Sequence, residues 1–419
     1  MTTPRTRRNP ATPATGTPSP GPEVLIVADD LSGAADSAVA LAPRAATSVV
    51  LDPAAPWPRA SVLAVDTDSR YLAGPDAAAR VRAAVARAAR DTLVYKKIDS
   101  TLRGNIGPEI AACLAALAEH RGGRRHLAVV TPAFPATGRT VLGGEVLVNG
   151  VPLSERHPKR VPLTRQLTEA GLRVAALSRP VLQGADPAAA LRTLAAEGAD
   201  AVVVDAVEEQ DLARLAQACI RSRPELPVLL AGSGGLAHHL PLPETPAAER
   251  PAPPPWPAGP TLVCVGSRSE VAKAQCAALV ERLPAHPVPV PAGPTGPAEA
   301  AARVRAALAA GRDVVVHPDP AEPVDPARAA EVAAGLAAAA RPGLDLAGTL
   351  VATGGETARA VLLAAGVSHL TVEGEREPGV ALARAHDGLP VITKAGAFGD
   401  PETLLRVVRS LPSAVSRPA

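Results

Sequence analysis

Lys96-Lys97-Ile98-Asp99-Ser100-Thr101-Leu102-Arg103-Gly104-Asn105 stands between an apolar run at 92–95 and a helical pattern at 107–120. A short apolar strand, a charged turn and a helix form the repeating unit of a parallel sheet. The turn departs from the rest of the chain, which Ala, Arg, Pro, Val, Leu and Gly dominate. Only five lysines occur, Lys96, Lys97, Lys159, Lys273 and Lys394, and two of them are adjacent here. Lysine is a compact point charge and arginine a planar fork, so neither replaces the other in a site. With Asp99, Ser100, Thr101, Arg103 and Asn105 they suit an anionic ligand rich in oxygen atoms.

Outward from this turn the same alternation continues. Apolar runs at 24–28, 61–65, 127–130, 199–204 and 227–230 read as strands, with helical patterns from Ser32 onward and at 76–90, 186–197 and 211–221. Residues 241–260 then hold many prolines, which makes a stiff, extended linker. Beyond it, strands are expected at 261–265, 314–317, 349–352 and 390–393. Helices are expected at 269–282, 298–310, 327–340, 357–365 and 401–410. The expected organisation is therefore a tail at 1–21, one α/β domain at 22–240, the linker at 241–260, a second α/β domain at 261–412 and a tail at 413–419. Each domain is expected to hold a mostly parallel sheet flanked by helices, with the active site in the interdomain cleft.

Composition excludes several functions. A formal net charge of +2 gives no broad attraction to nucleic acid or membrane. Aromatics make up 1% of 419 residues, too few for a base-stacking platform. No apolar run reaches the roughly 18 residues that span a bilayer. The N-terminus lacks the apolar segment of a secretory signal. Cys113, Cys219, Cys264 and Cys276 form no CxxC pair and fall in apolar helix-like or strand-like stretches, which suits reduced thiols and a cytoplasmic location.

Ligands of open parallel sheets bind beyond the carboxyl ends of the strands. Asp29-Asp30 stands at the first such end, where a carboxylate can take a proton or hold a hydroxyl, and Asp66-Thr67-Asp68-Ser69-Arg70 makes a second acidic strand end. Asp30 is the expected catalytic base, with Asp29 raising one of the two pKa values by repulsion. Asp99 is the second candidate, though beside Lys97 and Arg103 it better holds those cations, and Arg103 completes the expected catalytic set. In the loop 131–139, prolines fence Phe134, and Arg139 offers a fork for a carboxylate.

The second domain repeats a strand, small-residue turn and helix three times. The turns carry Gly266-Ser267, then Thr353-Gly354-Gly355-Glu356-Thr357, then Lys394-Ala395-Gly396-Ala397-Phe398-Gly399. Glycines let phosphate approach the backbone, and helix N-termini bind anions. Three such turns suggest a polyphosphate site, and without GxxxxGK[ST] it is not a P-loop. Gly232-Ser233-Gly234-Gly235-Leu236-Ala237 fits a loose dinucleotide pattern, but the linker occupies the place of the required second acidic strand.

These motifs, in this order, resemble the four-carbon acid sugar kinases over nearly the whole chain, from Val24 to about Val408. The resemblance implies ATP-dependent phosphorylation of a hydroxyl, expected to be the terminal one, of an acid such as threonate, erythronate or 3-oxo-tetronate. Alternatives are a kinase of another small polyhydroxy acid and a non-catalytic sugar-acid sensor. The resemblance places Asp29, Asp30, Lys97, Asp99, Ser100, Arg103 and Arg139 on the substrate side, and the expected substrate set adds Lys96, Thr101, Gly104, Asn105 and Phe134. It places Ser267, Gly354, Gly355, Glu356, Thr357 and Gly396 on the ATP side, to which Thr353, Lys394 and Gly399 are added. ATP and Mg²⁺ are the expected cofactors, with metal ligands unassigned. The expected partners are the sugar acid and ATP, with self-association allowed and neither nucleic acid nor membrane. Ser32 stands where the family has Thr, Ala397 where it has Gly or Asn, and the stretch 151–158 is shorter than usual.

Overall fold

The computed structural model describes residues 21–242 and 253–412, apart from positions 284, 294, 324, 326, 327, 397 and 398. Residues 1–20, 243–252 and 413–419, which hold the expected tails and half of the linker, lie outside the described residues. The chain forms two compact α/β units. One comprises Pro18–Val49 and Pro56–Glu249, the other Val50–Ala55 and Arg250–Ala419, as far as these are described.

The strands of the first unit are β1 (Val24–Ala28), β2 (Thr47–Val50), β3 (Val62–Asp66), β4 (Leu93–Lys97), β5 (Leu127–Thr131), β6 (Arg139–Leu142), β7 (Glu145–Val148), β8 (Val151–Pro152), β9 (Val174–Leu177), β10 (Ala201–Val204) and β11 (Val228–Gly232). Their main sheet runs β2-β3-β1-β4-β11-β5-β10-β9, and every pair from β3 to β9 is parallel. β1, β4, β5 and β11 are buried along their whole length, as strands covered on both faces must be. This is why β1, β5 and β11 read as nearly continuous apolar runs. The helix α1 (Leu31–Leu41) packs over β1 and β3, while α2 (Gly74–Val85) and α3 (Ile106–His120) pack together. β6, β7 and β8 form a separate antiparallel sheet that the sequence did not announce.

The second unit contains β12 (Thr261–Val265), β13 (His286–Val290), β14 (Val314–Pro318), β15 (Thr349–Thr353), β16 (His369–Glu377), β17 (Val380–Ala385) and β18 (Pro390–Lys394), ordered β13-β14-β12-β15-β18-β17-β16. The first four pairings are parallel and the last two antiparallel. Val263, Val315, Val351 and Ile392 of its strands meet Leu279 and Leu404 of two helices in one core. Each such side chain contributes about 1.5–3 kcal/mol on burial.

One strand boundary bears on the site. β4 runs two residues further than expected, so Lys96 and Lys97 are strand residues and not part of the turn.

Candidate active site

Strand register assembles the site of the first unit. Asp66 of β3 pairs with Ala28 of β1, Ala28 with Lys97 of β4, Lys97 with Gly232 of β11, and Gly232 with Thr131 of β5. Five parallel strands thus end in one row, and Asp29-Asp30, Thr67–Arg70, Ile98–Asn105, Ser233 and Pro132–Arg139 all leave from it. This is the edge where open parallel sheets bind ligands.

Arg70 is the centre of that edge. Its Nε and Nη2 donate to both oxygens of Asp29 at 2.7 and 2.9 Å, and its Nη1 and Nη2 donate to both oxygens of Asp30 at 2.6 and 2.9 Å. Asp30 Oδ1 also accepts the Gly33 amide at 2.9 Å, capping α1. Burial opposes the charge on Asp29, but the Arg70 guanidinium outweighs it and holds the carboxyl below its usual range. The expected repulsion between Asp29 and Asp30 is therefore absent, because a cation sits between them. Asp99 is equally committed. Its Oδ2 accepts the Thr101 amide and hydroxyl at 3.0 and 2.5 Å and the Arg103 amide and Nε at 3.2 and 3.1 Å, and its Oδ1 accepts Arg103 Nη2 at 2.6 Å. Against the cost of burial, Arg103 and then Arg70 hold this carboxyl far below its usual range. Asp99 therefore shapes the loop and fixes Arg103, whose side chain is 46% exposed.

Strand periodicity separates the two lysines. Lys96 points toward α3, where Nζ is 2.8 Å from Glu109 Oε2 and donates to the Val27 and Lys97 carbonyls at 3.1 and 2.9 Å. Burial works against its charge, but Glu109 and then Asp29 raise its pKa. Fully buried and fully paired, it supports the edge from beneath and does not face a ligand. Lys97 points the other way, with Nζ 2.9 Å from where a Cβ of Gly33 would lie. Among the described residues its ammonium has no hydrogen-bond or ion-pair partner, although the residue is only 5% exposed.

The other expected residues divide similarly. Asn105 donates to the Ser69 and Leu72 carbonyls at 3.1 and 3.0 Å, tying two loops together. Gly104 has φ +86°, and a Cβ there would stand 2.8 Å from Asp29 Oδ2. Ser100 is half-buried at the start of the turn. Phe134 and Arg139 exchange backbone hydrogen bonds at 2.7 and 3.1 Å, closing the loop between them. Arg139 donates to the Thr137 carbonyl and has no carboxylate partner among the described residues. Arg70 was visible in the sequence only as the end of an acidic run. The glycines at 234 and 235 reappear here too, because side chains there would strike Asp36 and Phe134.

In the second unit Val265 pairs with Thr353 and Thr353 with Lys394, so the three small-residue turns leave one strand-end row. Gly354 has φ +93° and precedes the helix Gly355–Ala364, whose first turn carries Glu356 and Thr357 and has no side-chain cap. A Cβ on Gly266 would lie 1.7 Å from Thr357 Oγ1, and one on Gly396 would lie 2.6 Å from the Ser267 side chain. These glycines let the three turns touch. Ser267 Oγ donates to Ser269 Oγ at 3.1 Å, Ser269 Oγ donates to the Gly396 carbonyl at 3.3 Å, and the Gly354 amide donates to the Lys394 carbonyl at 2.9 Å. Gly399, at φ +81°, turns the chain toward Thr403. Thr353 Oγ1 is buried without a hydrogen-bond partner among the described residues. Burial lowers the pKa of Lys394 to about 8, against the pull of Glu377. Backbone amides, hydroxyls and one lysine form a donor set suited to phosphate.

Residues 24–240 match the family model described as a sugar-binding N-terminal domain, and residues 262–404 match a nucleotide-binding C-terminal domain. A sugar site on one unit and a nucleotide site on the other define a phosphotransferase that acts on an alcohol group. A D-threonate kinase of Cupriavidus necator is 42% identical over 91% of this chain and 96% of its own length. A D-threonate kinase of Salmonella typhimurium is 34% identical over 91% and 96%. A 3-oxo-tetronate kinase of Cupriavidus necator is 32% identical over 94% and 99%. A solved structure from Salmonella typhimurium LT2 shares the fold, with a TM-score of 0.75 and 24% identity over 93% of this chain and 99% of that one. The chain belongs to the four-carbon acid sugar kinase family. Among the described residues no helix is long and apolar enough to cross a membrane.

Proposed function

We propose that this protein is a cytoplasmic ATP-dependent D-threonate kinase that phosphorylates the terminal hydroxyl of its substrate. One observation carries the substrate side. At an edge where Asp29, Asp30 and Asp99 are all neutralised by arginines, the Lys97 ammonium has no hydrogen-bond or ion-pair partner among the described residues. It binds the substrate carboxylate, with the exposed flank of Arg103 and with Arg139 as the further cations. The family relatives named D-threonate kinase support this acid over its isomers. Ser267, Thr353, Gly354, Gly355, Glu356, Thr357, Lys394, Gly396 and Gly399 form the ATP side of this reading, with the turn amides on the phosphates.

Mg²⁺ belongs to the reading as a companion of ATP that neutralises phosphate charge. Among the described residues no group of three His, Cys, Asp or Glu side chains forms a metal cluster. That fits an ion held mainly by phosphates and water, and no step is assigned to it. Cytoplasmic location is supported by four free cysteines, three of them buried. The test is coupled ADP release with D-threonate, L-threonate, D-erythronate and the 3-oxo acids. The expected result is the highest kcat/KM with D-threonate. No ADP release with any of these acids overturns the reading.

A further inference from the structure

Proton removal from the attacking hydroxyl needs a carboxylate with a free lone pair, and geometry precedes pKa in choosing it. Asp30, the expected base, has both oxygens engaged by Arg70 and one also by the Gly33 amide. Protonating it would break charge-assisted bonds that hold the strand end together. Asp29 is shared with the same guanidinium, and Asp99 accepts five donors.

Asp36 is a carboxylate beside this edge that the arginine clamps do not engage. It lies on α1, on the helix face toward Lys97 and the short helix Gly234–Ala237. Its Oδ2 is 2.1 Å from where a Cβ of Gly234 would stand, and Phe134 Cε1 is 3.0 Å from the same point. Only glycine at 234 lets this carboxyl reach the loop. Asp36 is half-buried, and neither oxygen has a hydrogen-bond or ion-pair partner among the described residues.

We propose that Asp36 is the catalytic residue that accepts the proton of the attacking hydroxyl, an assignment that rests on the sugar-acid kinase reading above. The hydroxyl oxygen forms a bond to the γ-phosphorus while its proton passes to Asp36. The bond from the γ-phosphorus to the β,γ-bridging oxygen breaks, and its electron pair leaves with ADP. Asp36 then returns the proton to water. Lys97, without a hydrogen-bond or ion-pair partner among the described residues, holds the substrate carboxylate, while the Arg70 clamp keeps Asp29 and Asp30 from competing for the proton. Burial pushes the Asp36 carboxyl above its usual 3.8; Lys97 of β4 and His238 pull it down, and Asp30 adds to the rise. Tyr95 of β4 faces the same carboxylate with its phenol donating to the Ser233 carbonyl at 2.6 Å, its own pKa pushed up by burial and by Asp36.

The wild-type protein is assayed first with the four-carbon acids. Inactivity there defeats the kinase reading and this assignment with it, whereas the variants bear on the assignment alone. Asp36→Asn is expected to lower kcat by about 10²–10⁴-fold, with KM for the acid and Kd for ATP little changed. It should also remove the acidic limb of the kcat–pH profile, a limb that Asp30→Asn retains. Formate should restore part of the rate of Asp36→Ala, which a merely structural role would not allow. A near-normal kcat in Asp36→Asn, or an acidic limb that persists there, overturns the assignment. Should the neutral variants fail to fold, Asp36→Glu decides: a displaced limb with reduced kcat supports the role, and an unchanged profile overturns it.

Discussion

Arg70 spans about 40 residues of sequence to hold two adjacent carboxylates, and it does so at 7% side-chain exposure. Breaking a buried ion pair by removing one partner costs about 3–5 kcal/mol, because the remaining charge is uncompensated. Arg70→Met is expected to lower unfolding free energy by about that amount in urea titration. Arg70→Lys should recover only part of it, since an ammonium cannot fork onto two carboxylates. A loss in Arg70→Met no larger than that of an ordinary surface substitution, within about 0.5 kcal/mol, would show that the clamp is not structural. Lys394 invites a pH measurement. Its pKa of about 8 lies below the ordinary 10.5, so between these values the unfolded chain binds more protons and the stability from this group rises with pH. Bound phosphate favours the ammonium. ATP binding above pH 8 should therefore take up a proton, and affinity should fall as pH rises further. Calorimetry in buffers of different ionisation enthalpy reads both, and a flat Kd across that range would remove Lys394 from the phosphate site.

At the scale of the element, the turn after β15 is the most constrained, since Gly354 combines φ +93° with the start of a helix. A β-branched residue there is a backbone outlier. Gly354→Val is expected to weaken ATP binding at least tenfold, about 1.4 kcal/mol, while the sugar acid still binds; unchanged ATP titration would refute the cradle. What the sequence showed about the elements follows their burial. Strands hidden on both faces, such as Val24–Ala28 and Thr349–Thr353, are continuous apolar runs and were legible. β16 was not, because its outer half, Glu373-Gly374-Glu375-Arg376-Glu377, is charged and only partly buried and reads as loop. β13 carries two prolines and lies at a sheet edge, where proline is tolerated but strand signals weaken. The site divides in the same way. Polar residues interrupting an Ala/Val background at strand ends stood out, which is how Asp29, Asp30 and the Lys96–Asn105 turn were found. Arg70 and Asp36 did not, one because its reach depends on strand order, the other because it sits inside an Ala-rich helix.

At the scale of the whole molecule, each unit carries its own strand-end row and its own ligand class. A ligand stabilises the cooperative unit that holds its site, by about 2.7 kcal/mol at a hundredfold excess over Kd. Differential scanning calorimetry should show ATP moving the melting of the second unit and D-threonate that of the first. A shift of neither transition by ATP would contradict a nucleotide site on residues 262–404.

Lys96 and Lys97 owe their separate fates to parity alone. A deletion of one residue inside β4 would turn every later side chain of the strand to the opposite face. The unpartnered ammonium would then point at Glu109 and the paired one at Gly33, with both roles lost and no side chain altered. The turn at Gly122 and Gly123, where an added Cβ meets nothing within 4 Å, would absorb the same change in length. Tolerance to insertion and deletion should therefore alternate sharply along this short stretch of chain, and deletion scanning would trace the layer structure of the sheet without any ligand.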